Sequence, residues 1–163
     1  MTGDRVPTAV EPAGALRDLV QESPPARLPA ELRARVAGFV EEHPNWDGVV
    51  MLGDGAAHHW VHVSAGEAIS MMGFLTPRLV ADLGGAAAPD MAAVSDTMSR
   101  PERLAAQLRS AEVAGDGSAL TGHLIGAELA AAKVYWLGQQ VVALSQGPYA
   151  EMLRAQGVSV LEV

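Results

Sequence analysis

The stretch Val49 to Phe74, VVMLGDGAAHHWVHVSAGEAISMMGF, constrains the fold more than any other part of the chain. Val49-Val50-Met51-Leu52 is apolar throughout and short, the pattern of a buried strand. Gly53-Asp54-Gly55 interrupts it, because glycine enters positive φ without strain. A second strand is expected through Trp60-Val61-His62-Val63. Ser64-Ala65-Gly66-Glu67 then supplies glycine where a tight hairpin needs it, and Ala68 to Phe74 returns as a third strand. Three adjacent strands, the first pair joined around a Gly-Asp-Gly loop, predict a sheet that holds a ligand at its rim.

Four prolines before Leu28 (Pro7, Pro12, Pro24, Pro25) predict a mostly irregular segment over residues 1–28, with two turns of helix between Ala13 and Gln21. Pro29 to Glu42 reads as a helix, with proline near its first turn and Leu32, Val36, Phe39 and Val40 as an apolar stripe. Beyond the three strands, Thr76-Pro77 predicts a capped helix start, and Gly84 to Asp90 a flexible linker. Ser99-Arg100-Pro101-Glu102 has the spacing of a capping box opening another helix through Leu104 and Leu108. Ser118 to Trp136 gives the strongest helical pattern. Gly122, Gly126, Ala127, Ala130 and Ala131 keep it thin enough for another element to approach closely. Gln140 to Ser145 is apolar on successive positions, as in a strand buried on both faces. Pro148 to Gln156 predicts a helix and Val158 to Val163 a last strand. The expected class is α/β, with a mixed sheet in the order βββ-α-β-α-β and flanking helices. That is the order of a ribonuclease-H-like fold, here a lobe over residues 29–163 behind a tail over 1–28.

Composition narrows the function classes. Net charge is −8, from 11 basic and 19 acidic residues, and no Lys/Arg cluster offsets it. Neither a nucleic-acid backbone nor an anionic membrane is an expected partner. There is no cysteine, so disulfides, thiolate nucleophiles and Cys-ligated metals are excluded, which fits a reducing cytoplasm. The first residues lack the apolar core of a secretory signal, and no run reaches the ~18 apolar residues of a membrane span.

Few side chains suggest chemistry by their type alone. Asp54 has the position of a strand-end base or Mg²⁺ ligand, but its spacing reads first as a turn aspartate between glycines. His58 and His62 fall on one strand face and His59 on the other, without a carboxylate at supporting spacing, so a metal site is not expected. Glu128 reads as a helix-surface glutamate, with a buried, paired carboxylate in the thin helix as the alternative, and Met71-Met72 as core packing.

Five stretches in order resemble one family. They are Val36-Ala37-Gly38-Phe39 with Asn45-Trp46-Asp47-Gly48-Val49; Trp60 to Glu67; Met98 to Leu104; Leu124 to Ala132; and Tyr135-Trp136-Leu137-Gly138-Gln139. Together they are similar to the 2-keto-3-deoxygalactonate kinases (2-dehydro-3-deoxygalactonokinases), sugar-acid kinases of the actin-like ATPase fold. The resemblance implies ATP- and Mg-dependent phosphoryl transfer to a sugar acid. It implies two ribonuclease-H-like lobes with the nucleotide between them. It places the second phosphate loop at Gly53, Asp54, Gly55, His58 and His59, and the adenosine-facing turn at Ser145-Gln146-Gly147-Pro148, with Gly147 as its candidate binding residue.

The departures from the family pattern fall on that chemistry. The first phosphate loop, Asp-Trp-Gly-Thr/Ser, and the lobe behind it have no counterpart. The family's Arg-Gly-Glu-Glu-Thr becomes Ala30-Glu31-Leu32-Arg33-Ala34, and its Thr-Gly-Glu-Leu becomes Thr76-Pro77-Arg78-Leu79. In the second loop, Pro-Gly-Thr-His-x-Lys-Trp becomes Asp54-Gly55-Ala56-Ala57-His58-His59-Trp60. The expectation is therefore a kinase-like chain, truncated and catalytically impaired, with no catalytic residue assigned. The alternatives are an active kinase completed by another chain and a non-catalytic interaction module. A lone second lobe would expose an apolar face, so a homodimer or hetero-complex is expected.

Overall fold

The computed structural model describes the whole chain, Met1–Val163. It is a mixed α/β protein with two mixed sheets and seven α-helices. The chain divides into two compact units. One comprises Met1–Asp54, His58–Gly73 and Tyr135–Val163, the other Gly55–Ala57 and Phe74–Val134. No helix is long and apolar enough to cross a membrane.

The first unit is built on β5 (Gly48–Gly53), β6 (His58–Ser64) and β7 (Glu67–Phe74), the three strands expected from the opening stretch. Ala65 and Gly66 connect β6 to β7 with φ of 50° and 76°, two successive left-handed residues, as a tight turn matched to strand twist requires. β8 (Val141–Ala143) lies parallel to β5 on its other side, and β9 (Val160–Glu162) lies parallel to β8 beyond it. All three β8 residues are buried, as its continuous apolar run predicts. The helix α7 (Tyr149–Ala155) carries the chain from β8 to β9. With the short β2 (Thr8–Ala9) against β7, the sheet order is β2-β7-β6-β5-β8-β9.

Strand alternation sorts the core. Val50, Leu52, Val61, Val63 and Val142 meet Leu32, Val36, Phe39 and Val40 of α1 (Ala30–Glu42) in one hydrophobic cluster. On β6 the alternate positions His58 and Trp60 meet Tyr149 of α7 instead, with ring centroids 4.7 and 6.4 Å apart.

Residues 1–28 are not irregular, and Ala13 to Gln21 does not form a helix. Besides β2, this segment contributes β1 (Asp4–Arg5), β3 (Leu19–Glu22) and β4 (Pro25–Leu28), joined in a second sheet in the order β1-β3-β4. The segment therefore belongs to the first unit rather than preceding it as a tail. Leu19, Val20 and Leu28 are at most 2% exposed. Two contacts fasten this segment. Arg33, fully buried in α1, donates to the carbonyls of Val10, Ala9 and Arg17 and to the Asp4 carboxylate at 2.7–2.9 Å. The Gln21 amide bonds both the N–H and the C=O of Met71, each at 2.9 Å, as a neighbouring strand would.

The second unit is helical. Its central helix α5 (Gly117–Ala131) is flanked by α2 (Thr76–Leu83), α3 (Met91–Ser99) and α4 (Leu104–Ala114). Gly122 and Gly126 allow the close approach expected of this thin helix. A Cβ on Gly122 would lie 2.5 Å from the Asp90 carbonyl oxygen, and one on Gly126 would lie 2.4 Å from that of Val94. Buried polar groups are matched along a chain. Gln107 donates to Asp96, Thr97 donates to Gln107, and His123 Nδ1 lies 2.8 Å from the Thr97 hydroxyl. Since that hydroxyl proton goes to Gln107, His123 carries its proton on Nδ1.

Several boundaries differ from expectation. Helix α3 fills much of the stretch between the expected linker and the Ser99 motif, and Asp90 caps it by accepting from the Ala92 N–H at 3.0 Å. Ser99 ends that helix instead of capping the next, its hydroxyl turned back to the Ser95 carbonyl. Thr76 is buried inside α2, whose N-cap position is Leu75. The strong pattern from Ser118 to Trp136 breaks at Ala132, leaving a short α6 (Lys133–Trp136).

Candidate functional site

Because β5 and β8 run parallel, their carboxyl ends open on the same edge of the sheet, the usual place for a ligand in an open α/β sheet. β5 ends at Gly53, and the chain leaves β8 through Leu144 and Ser145. The Leu144 N–H bonds the Met51 carbonyl at 2.9 Å. The Gly53 N–H donates to the Ser145 hydroxyl at 2.8 Å. On the same edge β6 begins with His58, whose ring meets Tyr149 at an interplanar angle of 89°. From α1, the exposed Arg35 donates to the Leu144 carbonyl.

The expected site residues divide as follows. Gly53 and His58 lie at this edge, and Gly147 stands in the exposed β8–α7 turn with φ of 153°. Asp54 is exposed at the strand end. Gly55 has φ of 85°, so only the second glycine of Gly-Asp-Gly uses the left-handed region, and it falls in the second unit. His59 is 6% exposed. Its ring lies beside the β7 backbone at Gly73, 3.6 Å from where a Cβ there would stand, on the strand face opposite His58. Ser145 belongs to the turn that the family resemblance places here, whereas Tyr149 and Arg35 were not expected. Ser145 follows the end of a parallel strand and Tyr149 begins the next helix, which is the signal that marks them.

Two other residues differ from their sequence reading or complete it. Glu128 is 2% exposed, so it is a buried carboxylate and not a helix-surface one. His62 Nε2 lies 3.9 Å from the Asp47 carboxylate, at the outer limit of an ion pair. No group of three or more His, Asp or Glu side chains converges as metal ligands would. The edge thus carries a hydroxyl, an imidazole and an exposed carboxylate, with the buried Tyr149 ring packed behind His58. Groups of this kind can hydrogen-bond a polar ligand.

No protein-family model matches the chain, and no curated protein matches it. Among solved structures, it is similar to a crystal structure described as "a putative 2-dehydro-3-deoxygalactonokinase protein from Sinorhizobium meliloti". The TM-score is 0.78 at 19% identity, over 98% of this chain and 67% of that one. The two share a mixed α/β fold, and this chain spans about two thirds of the other.

Proposed function

We propose that the chain is a kinase-like protein of the 2-keto-3-deoxygalactonate kinase type whose phosphate loop no longer supports phosphoryl transfer. The strand order supports the ribonuclease-H-like, actin-like reading. β7-β6-β5 is a meander, and β8 and β9 are added parallel to β5 on its other side. The shared fold with a structure described as a sugar-acid kinase points the same way.

One observation carries the loss of activity. Phosphoryl transfer depends on positioned donors and cations around the phosphates. From Gly53 to His59 this loop has no Lys, Arg, Ser or Thr, and the Gly53 amide is already bonded by Ser145. His59, which stands where the family has lysine, is buried. These residues do not fit a magnesium-bound triphosphate. Loss of one preorganised donor costs about 10²–10³ in rate at comparable sites, and several are lost here. The polar edge that remains suits a hydroxyl-rich ligand, and a sugar acid would be held there through its hydroxyl groups, with its ionised carboxylate turned away from the exposed Asp54. With no cysteine in the chain, a reducing cytoplasm is the compartment we infer.

Calorimetry of the full chain against Mg-ATP and against 2-keto-3-deoxygalactonate, with an ADP-release assay on the same samples, tests this. The expected result is no ADP release and no heat with Mg-ATP. Steady release of ADP that depends on the sugar acid would overturn it.

A further inference from the structure

We propose that α2 is a self-association surface on which two copies of this chain pack antiparallel about a two-fold axis. Leu75, at the N-cap of α2, and Leu79 and Leu83 within it are 50%, 39% and 44% exposed. Residues four apart on a helix advance by about 40° around its axis, so the three leucines form one slowly turning stripe. The adjoining face is already used. Thr76 is buried, and Val80 packs against the cluster of Ala111, Leu120 and Leu124.

Charge identifies the occupant. Arg78 and Asp82 are exposed, and each immediately precedes a stripe leucine, so both lie on the flank away from Thr76 and Val80. In an antiparallel pair related by a two-fold axis, each flank meets the same flank of the partner helix. Arg78 then faces the other copy's Asp82, and the symmetry makes that contact twice. A parallel arrangement would not bring these flanks together. The helix is therefore complementary to itself in one orientation, as an isologous contact demands. A helix of 8 residues makes an interface below the roughly 1,200 Å² of stable complexes, so the dimer is weak and concentration-dependent.

Sedimentation velocity of the full chain from about 10 to 500 µM tests the proposal. The expected mass rises from 16.9 kDa toward twice that value. Leu79→Glu should remain monomeric with an unchanged circular dichroism spectrum. Arg78→Asp and Asp82→Arg should each weaken association by about three- to tenfold, within the range of exposed charge pairs. The double reversal R78D/D82R should restore it. An equimolar mixture of the two single variants should associate more tightly than either alone, because each then presents a uniform, opposite charge. A wild-type mass constant at 16.9 kDa over this range, a dimer indifferent to L79E, or charge variants that the double reversal does not rescue would each overturn it.

Discussion

Arg33 shows how much of this molecule depends on one side chain. It is fully buried, and its guanidinium donates to three backbone carbonyls and to the Asp4 carboxylate, which Arg17 also approaches at 3.3 Å. Removing one member of a buried charged network typically costs about 3–5 kcal/mol. Arg33→Met should lower stability by about that amount, read as a lower urea midpoint, with residues 1–28 becoming protease-sensitive first. Its partner Asp4 adds a pH dependence. The Arg33 hydrogen bond holds the Asp4 carboxyl below its ordinary value of 3.8, against the opposing effect of desolvation, with help from the Arg17 and Arg33 charges. The unfolded chain therefore takes up this proton first as the pH falls. The contribution is complete above 3.8 and is lost as the pH drops through the lower folded value. Urea midpoints of wild type and Asp4→Asn should converge below that window and separate above it, with wild type the more stable. None of this was legible in the sequence. Arg33 sits in a helical pattern like any surface arginine, and its partners lie 16 to 29 residues away.

At the scale of elements, what could be read depended on where the backbone bonds go. β5, β6 and β7 were legible because each is long enough to show its pattern, and the connection between β6 and β7 is a two-residue turn. The strands β1 to β4 are two to four residues each. Such short pieces have no period of their own, and β2 finds its partner residues at Ala68 and Glu67. Helix α3 was missed because its small residues Ala92, Ala93 and Ser95 make a weak stripe, while glycines on α5 supply the fit. The same glycine type has opposite meanings on two helices, which can be measured. Gly126→Ala drives a Cβ into the Val94 carbonyl and should destabilise by about 1–3 kcal/mol. Gly38→Ala, inside α1 with nothing within 4 Å of the added carbon, should stabilise by about 0.5–1 kcal/mol. Thermal midpoints of the two variants should move in opposite directions. The candidate site was half legible. Glycines and His58 mark the loop, but the hydroxyl that occupies the Gly53 amide comes from a residue 92 positions away.

The two units of the whole molecule have separate hydrophobic centres of unequal size. Fifteen buried residues form the main cluster of the first, and the cluster of Ala111, Leu120 and Leu124 lies in the second. All three tryptophans, Trp46, Trp60 and Trp136, fall in the first unit, and α2 to α5 in the second. Indole fluorescence therefore reports one unit, and helical circular dichroism is weighted toward the other. Urea should reduce the dichroism before it shifts the fluorescence. Coincident curves would show that the two centres melt as one.

The side chain of Gln21 has a consequence for how the protein survives at high concentration. By lending its amide to Met71 it acts as a counterfeit peptide group on β7, past the point where the two residues of β2 stop. An uncovered strand border recruits other chains into fibrils. Gln21→Leu keeps the bulk and deletes the disguise, so on long incubation it should develop thioflavin fluorescence while the wild-type solution stays clear. A variant that stays equally clear would mean that the border is sealed by other means.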